Sequence, residues 1–133
     1  MVSRRRGSFV AVVEDDVGVR GAILELLRSC DIEARGFPSA EQFLKSRRRS
    51  QAGCLVLDVR LPGMTGLELL QALQDSGVRI PAICATTEAD FDDCLRQQLV
   101  QAGAVAVLGK PFDPELFLCL VHTALTPTAH PRR

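Results

Sequence analysis

The sequence predicts an α/β protein built on a parallel sheet of five strands, with helices on both faces. Three observations lead there. Short apolar runs rich in β-branched residues alternate five times with longer segments of helical periodicity. The connections are too long for hairpins and suit right-handed crossovers, which lay helices over a parallel sheet. A chain of 133 residues with 47% hydrophobic side chains has enough material for one domain with a real core, and no room for a second.

The first strand is expected over Phe9 to Val13, closed by Glu14, Asp15 and Asp16. Val19, Ile23, Leu26 and Leu27 then mark one face of a helix that ends near Cys30, with Asp16 available as its cap. A second, weaker strand runs from Ile32 to Phe37. Ser39, with Gln42 three positions on, has the spacing of a capping box and opens a short helix that runs into the basic loop Arg47, Arg48, Arg49. Leu55, Val56 and Leu57 form the third strand, which ends on Asp58. Pro62, Gly63 and Gly66 punctuate its exit before a helix marked by Leu67, Leu69, Leu70 and Leu73. Ile80 to Ala85 is the fourth strand, ending in Thr86 and Thr87. Its helix is expected over Asp90 to Gln101, with Phe91, Cys94, Leu95 and Leu99 on the inner side. Ala104 to Leu108 is the fifth strand. Asp113 caps, and Pro114 begins, a last helix reaching about Leu125. The domain is thus expected over residues 8–125, with flexible tails at 1–7 and 126–133.

Bulk properties exclude several classes. Sixteen basic and 16 acidic side chains cancel, so no global charge draws the chain to nucleic acid. Arg4, Arg5, Arg6 and Arg47, Arg48, Arg49 are read as solvated basic flaps, since no recognition helix or interleaved aromatics accompany them. No apolar run approaches the roughly 18 residues of a membrane span. The apolar run after the first arginines is short and ends in three acids, so it fails as a secretory signal. Five widely spaced cysteines without a CxxC pair read as reduced core thiols of a cytoplasmic protein, with no metal cluster or disulfide framework. His122 and His130 have no ligand partner nearby in sequence.

The chemistry gathers at the strand ends. In an open parallel sheet, ligands sit outside the carboxyl ends of the strands, where the strand order reverses. Glu14, Asp15 and Asp16 close the first strand, Asp58 the third and Thr86 the fourth, while the fifth leads to Lys110. A single acid at a strand end is usually a turn residue or a helix cap. Several strand ends carrying such groups together are not explained that way. Clustered carboxylates repel unless a proton or cation intervenes, and a hard divalent ion such as Mg²⁺ accepts oxygen ligands while keeping waters and phosphate oxygens. Asp58 is then available as a nucleophile toward phosphorus, forming an aspartyl-phosphate. Lys110 neutralises the anion, and the Thr86 hydroxyl donates to a phosphoryl oxygen. No GxxxxGK[ST] or GxGxxG segment supports a nucleotide site, and no GxSxG elbow supports a hydrolase.

The segments VVEDD (12–16), LVLDVRLPGMTGLELL (55–70), AICATT (82–87) and AGAVAVLGKPF (102–112) closely resemble the receiver domain of two-component response regulators. With SAEQFL (39–44), they are most similar to receivers of regulators that carry a LuxR-type helix-turn-helix output domain. The resemblance covers residues 8–125 and implies a flavodoxin-like, doubly wound sheet in the order 2-1-3-4-5. It makes Asp58 the acceptor of a phosphoryl group from a histidine kinase, in a signalling module rather than an enzyme. Glu14, Asp15, Asp58 and the backbone carbonyl of Arg60 hold Mg²⁺, Thr86 is the switch hydroxyl, and Lys110 precedes a cis proline, Pro111.

The chain departs from the family at several points. Glu14 replaces the commoner Asp, and its longer arm is expected to reach an ion through water. Val107 stands where the family usually has an aromatic, and Thr87 where it prefers Ala or Gly. The interval from Thr86 to Lys110 is slightly longer than usual, on a side many receivers use to form homodimers. The expected partners are a histidine kinase, a second copy of the chain or a downstream protein, and a DNA-binding output domain if the chain is a fragment. No membrane and no direct nucleic-acid contact are expected. A receiver that binds a partner without phosphotransfer, and a small hydrolase or flavin protein of similar architecture, remain open on the residues alone.

Overall fold

The computed structural model describes residues 8–87 and 92–126. Arg4 to Arg6, Asp90, Phe91, His130 and both expected tails, apart from Thr126, lie outside them. Five strands, β1 (Phe9–Val13), β2 (Ala34–Phe37), β3 (Ala52–Asp58), β4 (Ala82–Thr86) and β5 (Ala104–Gly109), form one sheet in the order β2-β1-β3-β4-β5. Every pairing is parallel. The expected fold class and strand order are those observed.

Side-chain alternation along the strands divides the core into two layers. Phe9, Ala11, Val13, Leu55 and Leu57 face one side. There they meet α2 (Ala40–Lys45), α3 (Gly66–Asp75) and α4 (Asp93–Gln101) through Phe43, Leu69, Leu73 and Leu99. Val10, Val12, Cys54 and Val56 face the other side. They meet α1 (Val17–Ser29) and α5 (Pro114–Leu125) through Ile23, Leu27, Phe117 and Val121. β1, β3 and β4 are buried throughout, as strands covered on both faces must be.

Local chemistry sets the helix starts. Asp16 Oδ1 accepts the Val19 N–H at 2.9 Å and caps α1. Asp113 caps α5, with Pro114 in its first turn. Ser39 accepts the Gln42 N–H, giving one half of the anticipated capping box. A complete box forms instead at α3, between Thr65 and Glu68.

Some boundaries differ from expectation, each for a local reason. Asp31 adopts φ 60° and the Ile32 N–H turns back to Leu27 O, so Ile32 is buried but outside the ladder, and β2 begins at Ala34. β3 begins earlier than Leu55, because Ala52 and Cys54 already pair with Phe9 and Val10. In α4, capped by Asp92, Leu99 is buried and Leu95 packs on the core, whereas Cys94 is exposed. The cysteines correct the expectation of core thiols. Only Cys54 and Cys84 are buried, each pushed up to about 12 by desolvation, while Cys30, Cys94 and Cys119 are exposed. All five are free thiols. In the basic loop, Arg48 lies over the Phe9 ring and donates to Gln51, and Arg49 donates to Ser46 O, so two of its arginines have structural partners. Among the described residues no helix is long and apolar enough to cross a membrane.

Candidate functional site

The strand order reverses beside β1. The chain goes outward to β2, then crosses back to lay β3 on the other side of β1. The carboxyl ends of β1 and β3 therefore border a crevice that no crossover covers. Glu14 follows β1 directly and Asp58 is the last residue of β3. Candidate ligand oxygens of Glu14, Asp15 and Asp58 lie within 4.8 Å of one another.

Lys110, just beyond β5, reaches into this group. Its Nζ donates to Glu14 Oε1 at 2.9 Å and to Asp58 Oδ2 at 3.2 Å. The two carboxylates it bridges are almost out of solvent, at 3% exposure for Glu14 and 9% for Asp58. Asp15 is exposed at the mouth. Burial raises the Glu14 carboxyl above its ordinary value, against the Lys110 ammonium and the Asp16 amide, which pull it down. For Lys110, burial works to lower its value, but the bonds and charges of Glu14 and Asp58 outweigh it and hold the ammonium above its usual range.

Backbone bonds tie the remaining groups into place. The Arg60 N–H donates to Asp58 Oδ1 at 3.0 Å, fixing the acid's rotamer and placing residue 60 beside it. The Val59 N–H bonds Ala85 O, and the Lys110 N–H bonds Thr86 O at 2.8 Å, so the ends of β3, β4 and β5 are laced together. Thr86 is buried at 2% exposure, its hydroxyl making a long contact of 3.4 Å with Thr87 O. The Lys110–Pro111 peptide is cis. Of the departures from the family, Thr87 is exposed, and Val107 is half-buried against the layer that contains Leu57 and Cys84.

The structure thus brings together Glu14, Asp15, Asp58 and Lys110, with Arg60 and Thr86 alongside. Asp16, the third acid of its run, is spent as a cap. Two supporting residues escaped the sequence reading. Arg20 donates to Glu14 O at 2.8 Å, and Glu41 accepts the Met64 N–H at 2.9 Å. Both lie on helices, where periodicity sorts residues as inward or outward but does not say what an outward side chain can reach. A cavity of about 470 Å³ lies at the opposite edge, lined by Leu73, Val78, Ile80, Pro81 and Val105 among others, away from these charges.

The donor set suits a hard cation. Three carboxylates offer only oxygen, and the Lys110 ammonium pairs with two of them, Glu14 and Asp58. The cluster can coordinate a divalent metal.

Comparison with known proteins agrees with this arrangement. The model of the response regulator receiver domain matches residues 10–122. Response regulator protein TodT of Pseudomonas putida is 37% identical over 120 residues, which are 90% of this chain and 52% of TodT. Transcriptional regulatory protein FixJ of Azorhizobium caulinodans is 35% identical over 124 residues, 93% of this chain and 58% of FixJ. The chain therefore spans a little over half the length of these relatives. Among solved structures, response regulator StyR superposes with a TM-score of 0.81 at 38% identity, covering 92% of this chain and 60% of StyR. A receiver acts as a phosphoacceptor in signalling rather than as an enzyme in the ordinary sense, and an acidic cluster at this sheet edge is typical of such domains. On family match, fold and site together, the chain belongs to the response regulator receiver domains of two-component systems.

Proposed function

We propose that Asp58 accepts a phosphoryl group from the phosphohistidine of a histidine kinase and that residues 8–125 form the module that responds. The observation that carries this reading is the single hydrogen-bonded unit in which Lys110 bridges Glu14 and Asp58. It leaves a nucleophilic carboxylate at the edge of a crevice with its counter-charges already in place. In the transfer, an Asp58 oxygen forms a bond to phosphorus as the phosphorus–nitrogen bond breaks, and the electron pair returns to the imidazole. Lys110 stays close to the added charge, and the Thr86 hydroxyl donates to a phosphoryl oxygen. Glu14, Asp15, Asp58 and the Arg60 carbonyl would hold Mg²⁺, which when bound offsets charge on the phosphoryl oxygens. Slow hydrolysis of the acyl phosphate resets the site.

The names of the relatives, a response regulator and a transcriptional regulatory protein, support a role upstream of transcription. In this reading the kinase and a DNA-binding output domain of LuxR type are the partners, and the setting is the cytoplasm. A receiver that docks on a partner without phosphotransfer is the second reading, favoured by Glu14, Thr87 and Val107. Intact mass after incubation with acetyl phosphate and Mg²⁺ separates the two. Wild type is expected to gain one phosphoryl group, and D58N none. An unmodified wild type, with candidate kinases present, would give the second reading the field.

A further inference from the structure

The loop from Arg60 to Thr65 leaves β3 directly after Asp58 and is held in part from another element. Glu41, in the first turn of α2, accepts the Met64 N–H through Oε2 at 2.9 Å, 23 residues away in sequence. Gly63 sits beneath this contact at φ +75°, and a Cβ there would lie 2.6 Å from the same oxygen. The loop is shaped for the contact, since glycine both takes the left-handed turn and leaves room for the carboxylate. Three further backbone bonds hold the loop near its ends. The Arg60 N–H goes to Asp58 Oδ1, the Thr65 N–H to Glu68 Oε1 and the Gly66 N–H to Val59 O.

α2 is a firm anchor for such a tether. Ala40 and Phe43 flank Glu41 and are fully buried in the same layer as Leu57, Val59 and Leu61. Glu41 itself is exposed, so its bond adds little to global stability. Its effect is local, adding a backbone restraint at Met64 to the burial of Leu61.

We propose that Glu41 is a positioning residue for the phosphoacceptor site. By holding Met64 it fixes the course of the loop, and with it Arg60, whose N–H bonds Asp58. This rests on the assignment of Asp58 and Arg60 to the ion and phosphoryl site. Glu41 touches neither the ion nor the phosphoryl group.

The test compares the full chain with E41A, E41Q and D58N. Four quantities are measured: Mg²⁺ affinity from backbone amide shifts in NMR titration, the rate of acetyl phosphate labelling by intact mass, hydrogen exchange at the Met64 amide, and the melting temperature. E41A should bind Mg²⁺ about fivefold more weakly, the scale of one net hydrogen bond. It should label more slowly and lose exchange protection at the Met64 amide, with little change in melting. E41Q keeps an acceptor oxygen and should recover most of the loss. E41A that binds and labels like wild type overturns the inference while the acceptor reading stands. So does an E41A defect that only tracks a fall in melting temperature and is not rescued by E41Q. A wild type that takes up neither Mg²⁺ nor phosphoryl group, like D58N, overturns the acceptor reading itself and the inference with it.

Discussion

Desolvation raises the Glu14 carboxyl above its ordinary 4.5, although Lys110 and the Asp16 amide pull the other way. A raised value means that folding favours the protonated form. That contribution is complete below pH 4.5 and is lost as pH rises through the folded value, so at neutral pH the ionised Glu14 works against the fold. E14Q keeps the shape and the acceptor oxygen for Lys110 but removes the charge. It should melt a few degrees higher than wild type at pH 7 without divalent ions, and the difference should vanish below pH 4.5. The same variant should bind Mg²⁺ more weakly, because a charged oxygen ligand is gone. Melting curves at the two pH values check the first part, and a Mg²⁺ titration the second. The sequence showed the acid but not its burial. The side chain packs inward and brings its carboxylate within 4.8 Å of the others. Exposure was hidden in the same way at Cys119, which lies among apolar neighbours in sequence but is exposed on its helix.

At the scale of elements, the N-terminus of α3 shows how closely the site is built. A Cβ on Gly66 would come within 2.8 Å of Asp58 O and 2.9 Å of Val59 Cα, both backbone atoms that cannot swing aside. G66A should therefore cost about 1–3 kcal/mol and slow phosphoryl uptake, because the strand end carrying Asp58 must shift. T65A removes only the cap and should cost about 1 kcal/mol, with uptake nearly unchanged. Denaturant unfolding and acetyl phosphate labelling of both variants separate strain at the site from loss of helix stability. Equal effects of the two on uptake would contradict the close-approach argument. The sequence holds the signal for this cap, a threonine followed three residues later by a glutamate. The identical spacing at Ser39 and Gln42 was noticed, yet Gln42 supplies only its N–H. Spacing identifies a possible box; whether the second bond closes depends on a rotamer that the sequence does not specify. The start of β2 failed for a related reason, as Ile32 is apolar and β-branched but its N–H is already committed to Leu27 O.

Across the whole molecule, periodicity predicted strands and helices but said nothing of which strands are neighbours. The order 2-1-3-4-5 came from resemblance, and only that order turns separate strand ends into one crevice. Glu14 and Lys110 are 96 residues apart and meet because β1 and β5 end at the same edge. Assembling the acids this way couples the site to global stability. The unfolded chain scatters Glu14, Asp15 and Asp58, so a cation that needs all three binds the folded state alone. Stability then rises with ion concentration, by about 2.7 kcal/mol at a hundredfold excess over the dissociation constant. The melting temperature of the wild type should climb steadily with Mg²⁺ and fall back on chelation. D58N should lose most of that response, although it retains the fold and the other two acids. A D58N variant that follows the wild-type curve would place the ion outside the crevice, on surface acids that any folded protein offers. A flat wild-type curve would mean that Lys110 alone satisfies the carboxylates. Against that, Lys110 pairs with Glu14 and Asp58, both nearly buried, while Asp15 is a third acid of the same cluster.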